Sequence, residues 1–200
     1  MTSLRHNTPE PSDPRDVYLD AARDCILDVG WRRTTLTEVA RRAGVSRMTI
    51  YRSWADMPTL LGDLMTREWS GVVTQAVADE DTSLPPVERL VAEVVSTIRT
   101  LRDNELFVRI VELDAELILP YLLSRRGRSQ ELILDITAGA IRAGQATGDV
   151  RAGNPDAIAR GLVLAAHGFV LSAHTMVDDR VGDAELDAEL RHLLAAGLRP

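Results

Sequence analysis

Apolar residues recur at helical spacing along most of the chain. In the segment 15–30, Leu19, Ala22, Ile26 and Val29 stand three or four positions apart, which is the period of one face of an α-helix. The glycine that ends this segment can cap the helix. The pattern therefore predicts a first helix over residues 15–30.

Two short helices are predicted next, joined by about three residues. Thr35 and Glu38 have the spacing of a capping box, in which the threonine oxygen accepts from an exposed amide and the glutamate reaches back. Gly44 can turn the chain with a positive φ at little cost. Ser46 is a good N-cap for a helix that runs to about Trp54. Two short helices joined in this way form a helix-turn-helix.

A long fourth helix and a further set of helices follow. Asp56 can cap the fourth helix, which tolerates Pro58 in its first turn and runs to about Ala78. Residues 79–86 interrupt the pattern. Further helices are predicted at about 86–102, 104–112, 116–125, 127–147, 155–177 and 184–197. No segment alternates convincingly with the period of a β-strand, so the predicted fold is all-α.

These elements divide the chain into three predicted parts. Residues 1–14 contain three prolines and no apolar periodicity, so we expect a disordered tail there. Residues 15–60 form a three-helix head that contains the helix-turn-helix. The fourth helix joins this head to a C-terminal helical domain over residues 61–200.

Charge is distributed unevenly between the head and the rest of the chain. The whole protein has a net charge of −7, but residues 31–54 carry six arginines against one acid, a net charge of +5. Residues 61–200 carry 14 arginines against 22 acids, a net charge of −8. Attraction to phosphate acts over about one Debye length, ~8 Å at physiological salt, so the local charge decides it. A basic head on an acidic body is therefore compatible with DNA binding.

The remaining composition indicates a cytoplasmic protein. The N-terminus is polar, without the apolar run of a signal peptide, and we expect no apolar stretch of the roughly 18 residues that a membrane span needs. The single cysteine, Cys25, falls on the apolar side of the first helix and is expected to be a buried thiol. No cofactor or metal site is predicted.

The predicted third helix has the features of a helix that reads DNA. It begins with Ser46-Arg47-Met48-Thr49, which brings an amide-rich helix start and an arginine together. Val45 and Ile50 supply its apolar side, so most of its other side chains are expected to be free. Such a helix could also be part of an ordinary helical bundle.

Residues 34–61 resemble the DNA-binding signature of the TetR (tetracycline repressor) family. The shared features are a threonine-rich start, an Ala-Gly-Val-Ser turn, an Ile-Tyr pair, an aromatic residue three positions after the tyrosine, and a leucine pair. In this chain they are Thr34-Thr35, Ala43-Gly44-Val45-Ser46, Ile50-Tyr51, Trp54 and Leu60-Leu61. The chain departs from the family pattern in one pair and one single residue. Ser53-Trp54 replaces a His-Phe pair, and Met57 replaces a lysine that normally meets a DNA phosphate.

The resemblance implies a transcriptional regulator that binds double-stranded DNA at a palindromic operator. The residues expected to contact DNA are Thr35, Thr37, Ser46, Arg47, Met48, Thr49, Tyr51 and Arg52. The arginines, the methionine and the threonine of the third helix would read the major groove. Tyr51 would give its hydroxyl to a phosphate, or could instead be half-buried in the core. Trp54 is expected in the core, and Arg41 and Arg42 are left outside the site as a solvated face.

The resemblance also implies that the C-terminal domain binds an effector and forms a homodimer. The helix predicted at 155–177 contains small residues that allow another helix to approach closely. These are Ala165, Ala166, Gly168 and Ala173. With the last helix, at 184–197, they would pack against a two-fold copy, although packing within one chain is the alternative.

The family resemblance, rather than any pattern in the sequence, implies a pocket for an unknown small-molecule effector. Binding of this effector would release a repressor from DNA. The candidate lining residues are Trp69, Val73, Leu106, Phe107, Ile110, Leu117 and Tyr121. Each could equally be an ordinary core residue. Glu105, Glu112 and Glu116 would favour a cationic ligand, or could simply be solvated carboxylates.

Two other classes of function compete with this interpretation. An enzyme would have to use His167 and His174 with Glu112, Asp114 and Glu116. The histidines are seven positions apart, which is not the spacing of a helical zinc site, and the chain shows no phosphate loop or nucleophile elbow. The other rival is an adaptor whose helix-turn-helix binds protein, against which the local charge of +5 argues.

Overall fold

The computed structural model describes residues 13–79 and 81–200, and these residues form helices, turns and loops without a strand. The predicted all-α class is therefore confirmed. The α-helices are α1 Pro14–Val29, α2 Leu36–Arg42, α3 Arg47–Ser53, α4 Met57–Ala78, α5 Pro86–Asp103, α6 Glu105–Leu113, α7 Leu119–Leu123, α8 Arg128–Thr147, α9 Pro155–Ser172 and α10 Asp183–Leu198. Short 3₁₀ helices occupy Trp31–Arg33, Ala115–Leu117 and Ala173–Thr175.

The chain divides into two compact units between Leu64 and Met65. The predicted tail, residues 1–14, falls almost wholly outside the described residues. Its last two residues begin α1: the Asp13 carboxylate accepts a hydrogen bond from the Arg15 amide at 2.9 Å, and Pro14 is the first helical residue. Proline suits this position because its missing N–H would have no helical partner.

The first unit is a small helical core around α1, α2, α3 and the beginning of α4. Its buried apolar residues are Leu19, Ala21, Ala22, Cys25, Ile26, Leu36, Val39, Ala40, Ile50, Trp54, Leu60, Leu61 and Leu64. Cys25 is fully buried, as predicted, and desolvation raises the pKa of its thiol. The residues of the apolar pattern and of the leucine pair therefore form the interior that holds the short helices in place.

The second unit is built on a helical bundle in which α5, α8, α9 and α10 share one core. α8 packs on α9, and α5 packs on both α9 and α10. Asp187 of α10 is buried against α5, where its carboxylate accepts hydrogen bonds from Arg99 and Arg102. A carboxylate is buried here at tolerable cost because two guanidinium groups satisfy it.

Two predicted helices in the second unit differ from the structure. The segment predicted as one helix over 116–125 is a 3₁₀ turn at Ala115–Leu117 followed by the five-residue α7. Pro120 lies in the first turn of α7, and proline is tolerated at a helix start but interrupts a helix interior. The helix predicted over 155–177 ends at Ser172, and its continuation tightens into a 3₁₀ turn.

The helical segment Pro155–Thr175 also corrects the expectation that no long apolar stretch exists. It has an 18-residue window with a mean hydropathy of 1.3, long and apolar enough to cross a membrane by length and composition alone. Only 22% of that window is buried within the chain. Leu164, Gly161, Ala165 and Gly168 lie on its exposed side.

Candidate nucleic-acid interface

The turn between α2 and α3 forms through local hydrogen bonds and one glycine. The Thr35 hydroxyl oxygen accepts from the Glu38 amide at 3.2 Å, and the Ser46 hydroxyl oxygen accepts from the Thr49 amide at 3.2 Å. Gly44 has a φ of +68°, a conformation that side chains with a Cβ rarely adopt. The predicted Thr35 and Ser46 caps and the glycine turn are therefore present. The Glu38 carboxylate, however, does not reach back as the predicted capping box requires, because it accepts from Arg41 and Arg42 instead.

One face of α3 is buried and the rest of the helix is open to solvent. Ile50 is fully buried and Trp54, at the C-cap, is 1% exposed, whereas Met48 and Tyr51 are 64% and 48% exposed. Tyr51 is therefore not a core residue, while Trp54 is one. Of the residues predicted to contact DNA, Thr49 is half-buried and the others are exposed. The exposed residues are Thr35, Thr37, Ser46, Arg47, Met48, Tyr51 and Arg52.

The exposed arginines of α3 are available for a partner outside the chain. The side chains of Arg47 and Arg52 make no hydrogen bond or ion pair within the described part of the protein. The hydroxyls of Ser46 and Thr49, in contrast, lie 2.9 Å apart and hydrogen-bond to each other. The charge of this face is therefore carried by two guanidinium groups, and guanidinium binds phosphate and guanine edges well.

The arginines at the end of α2 are held by carboxylates instead. Arg41 donates to both oxygens of Glu38, at 2.8 and 2.7 Å, and Arg42 donates to Glu38 at 3.0 Å. Arg42 also pairs with Asp28 of α1. These hydrogen bonds lower the pKa of Glu38 to about 2 and raise the pKa of Arg42. The glutamate of the predicted capping box thus neutralises basic charge beside the turn.

A cluster of side chains that the sequence did not reveal joins α1, α3 and α4. The Trp54 Nε1 donates to Asp63 Oδ2 at 2.8 Å, and Arg15 Nη2 donates to the same oxygen at 2.8 Å. The Arg15 guanidinium carbon lies 4.9 Å from the centroid of the Trp54 ring, and Tyr18 meets that ring edge-on at 6.3 Å. The only hint in the sequence is that a buried indole N–H needs an acceptor.

The structure brings two of the candidate effector residues, Trp69 and Phe107, into direct contact. Trp69 and Phe107 are stacked edge to face, with ring centroids 5.9 Å apart, and the Trp69 Nε1 is buried without a hydrogen-bond partner in the described residues. Tyr121 instead contacts Arg125, whose guanidinium carbon lies 4.9 Å from the tyrosine ring centroid. The remaining candidates are Val73, Leu106 and Ile110, which are buried, and Leu117, which is half-buried.

A groove of about 270 Å³ lies elsewhere in the second unit, between α5 and α8. Its lining residues are Pro86, Arg89, Leu90, Glu93, Ala140, Ala143, Gly144 and Thr147, and they include none of the candidate effector residues. Over residues 13–79 and 81–200, no group of three or more His, Cys, Asp or Glu side chains is placed to hold a metal ion.

Comparison with known proteins identifies the family. A family model described as bacterial regulatory proteins, tetR family, matches residues 19–64. A protein of Mycobacterium tuberculosis (strain H37Rv) named as an uncharacterized HTH-type transcriptional regulator is 34% identical over 176 residues, which is 88% of this chain and 89% of that protein.

Solved structures share the fold over nearly the whole chain. The transcriptional repressor QsdR of R. erythropolis, from the TetR family, is 18% identical with a TM-score of 0.62, over 94% of this chain and 96% of that one. The SmeT–triclosan complex is 23% identical with a TM-score of 0.61, over 94% and 92% of the two chains. The protein therefore belongs to the TetR family of DNA-binding, helix-turn-helix transcriptional regulators.

Proposed function

We propose that the protein is a cytoplasmic, homodimeric repressor that binds a palindromic operator through α3 and leaves it when a small-molecule effector binds. The observation that carries the proposal is the exposed face of α3 with its two arginines that have no partner in the described residues. Cations that are not paired within the protein are the groups that phosphates and base edges can engage.

The exposed residues of the helix-turn-helix divide into two roles in this proposal. Arg47 and Arg52 read base edges in the major groove, with Met48 and Thr49 beside them. The Tyr51 hydroxyl donates a hydrogen bond to a DNA phosphate. Residues at the starts of α2 and α3 also contact the DNA backbone; these are Thr35, Thr37 and Ser46. Met57 is a neutral first residue of α4, so the phosphate contact of the usual family lysine is missing, and Arg52 or the α4 amides would compensate.

The uncovered apolar surface of α9 and α10 supports the homodimer. Leu164 of α9 is 70% exposed and Leu193 of α10 is 58% exposed. Gly161, Ala165 and Gly168 are exposed on α9 as well, which allows a partner helix to approach closely. Exposed leucines beside small residues are typical of a helix interface, and palindromic DNA needs two heads.

Two of the small residues expected at the dimer interface face the chain's own core instead. Ala166 packs against the buried cluster of the second unit, and Ala173 is 4% exposed. The proposed interface is therefore the face of α9 that includes Leu164 and Ala165, together with the exposed face of α10.

Two observations support the proposal that an effector releases the protein from DNA: the aromatic pair of the second unit and a ligand complex of a protein with the same fold. SmeT forms a complex with triclosan. The Trp69–Phe107 pair, with a buried indole N–H that has no acceptor in the described residues, offers an apolar contact and one donor to a ligand. An effector that releases DNA 100-fold must prefer the DNA-free form by about 2.7 kcal/mol, an ordinary coupling energy.

Selection of binding sites from a pool of random duplexes tests the proposal without knowledge of the operator. Purified protein should enrich sequences made of two inverted half-sites separated by about one helical turn or a multiple of it, since two recognition helices span that distance. Recovery of unrelated sequences, or of no DNA at moderate salt, would contradict the proposal. The enriched duplex then serves as the operator in the experiments below.

A further inference from the structure

α3 is short, so few buried side chains set its orientation. The helix has seven residues, and Ile50 is its one buried residue within those bounds. Trp54, the C-cap, supplies the second buried anchor. Two buried side chains limit where the helix lies, but they constrain its rotation less strictly than a directional hydrogen bond does, because dispersion contacts have little directionality.

The hydrogen bond from Trp54 to Asp63 adds a directional constraint at the end of α3. Its donor, Nε1, is fixed on the rigid indole ring, and its acceptor is a carboxylate of the second turn of α4. Arg15 of α1 donates to the same Asp63 oxygen and also lies over the indole face. Hydrogen bonds to charged groups are the stronger ones and are directional, so the arrangement ties the end of α3 to α4 and α1 together.

We propose that Asp63 is a positioning residue for DNA recognition: its carboxylate holds the Trp54 indole and thereby fixes the orientation of α3 for reading base edges. The inference rests on the proposed DNA-binding function and names residues that do not touch DNA. Trp54 is 1% exposed, so it acts through α3 and not by contact with a phosphate or base.

Specific and non-specific binding respond differently to a misplaced α3. Binding to random duplexes depends on the charge of the head, whereas binding to the operator also depends on the positions of individual side chains. Trp54→Phe keeps an aromatic ring and the net charge but removes the N–H donor. Binding to the operator must then fix α3 without this hydrogen bond, so Trp54→Phe should lower operator affinity about tenfold and leave affinity for a random duplex unchanged within about twofold.

A matched pair at Asp63 separates the acceptor from the charge. Asp63→Asn and Asp63→Leu remove the same negative charge, but only asparagine can still accept from the indole. We expect Asp63→Asn to keep the wild-type ratio of operator to random-duplex affinity, and Asp63→Leu to lose about tenfold of that ratio. Thermal unfolding followed by circular dichroism gives the folded fraction of each variant, and affinities are compared at a temperature where all are folded.

The outcomes distinguish the inference from the function on which it rests. Loss of operator affinity with random-duplex affinity retained, and rescue by asparagine but not leucine, supports a positioning role for Asp63. An unchanged ratio in Trp54→Phe, or equal ratios in the two Asp63 variants, overturns it while leaving DNA binding intact. A wild-type protein that prefers no sequence overturns the proposed function itself.

Discussion

At the scale of single residues, the arginines of the helix-turn-helix fall into two groups that the sequence does not separate. Arg41 and Arg42 are paired with Glu38, and Arg42 also with Asp28. Arg47 and Arg52 have no such partner in the described residues. The charge available to DNA is therefore concentrated on α3, although the count of arginines suggests a broader basic surface.

Arg47 and Tyr51 should differ in what their loss does to binding. Arg47→Ala removes a proposed base contact, so it should cost about 1–3 kcal/mol on the operator and relax discrimination at one base position. Tyr51→Phe removes only a hydroxyl that donates to a phosphate, so it should weaken binding to all duplexes alike. Competition titrations with single-base variants of the operator measure both effects. Equal losses on operator and random DNA for both variants would show that Arg47 does not read a base.

Glu38 should give the fold a contribution that depends on pH. Its pKa is lowered from an ordinary 4.5 to about 2 by the hydrogen bonds from Arg41 and Arg42. Because the folded-state pKa is the lower one, the ionised carboxylate stabilises the fold at all pH values above 4.5, and this contribution is lost as the pH falls toward 2. Urea unfolding of wild type and Glu38→Gln should therefore show a difference in midpoint that shrinks below pH 4.5. A difference that stays constant down to pH 3 would contradict the assignment.

At the scale of elements, the predictable features are the ones set by neighbouring residues. Thr35 and Ser46 each cap a helix by accepting from the amide three positions further on, and Gly44 alone supplies the positive φ of the turn, so these features follow from local sequence and are present. The contact between Arg15 and Asp63 spans 48 positions and has no local pattern, so sequence reasoning could not find it. The same limit applies to the candidate effector residues, because a period of apolar positions does not reveal which cores enclose a ligand.

The exposed face of α9 should control assembly. Leu164 is 70% exposed, so Leu164→Glu costs the isolated chain little but puts a charge into the proposed dimer interface. We expect monomers in analytical ultracentrifugation at concentrations where wild type is dimeric, with unchanged helical content. Leu123→Glu, at a leucine of α7 that is 77% exposed, is the matched control and should remain dimeric. A dimeric Leu164→Glu variant would show that this face of α9 is not the interface.

At the scale of the whole molecule, the net charge alone would argue against DNA binding, whereas the distribution of charge along the chain supports it. The protein carries −7 in total, yet residues 31–54 carry +5. A protein of this kind binds DNA only if the basic segment acts locally, since charges beyond about 8–10 Å are screened at physiological salt. The negative charge of the whole chain therefore does not exclude DNA binding.

The salt dependence of DNA binding tests the central claim, that the helix-turn-helix binds DNA as a dimer, most directly. If about three to five phosphates per protomer are neutralised, the logarithm of the association constant should fall against the logarithm of salt concentration with a slope of about −5 to −9 for the dimer. Arg47→Ala with Arg52→Ala should make that slope less steep, because two guanidinium groups per protomer in the groove displace counterions from the DNA in addition to reading base edges. A slope near zero for the wild-type protein on the selected operator would contradict the account.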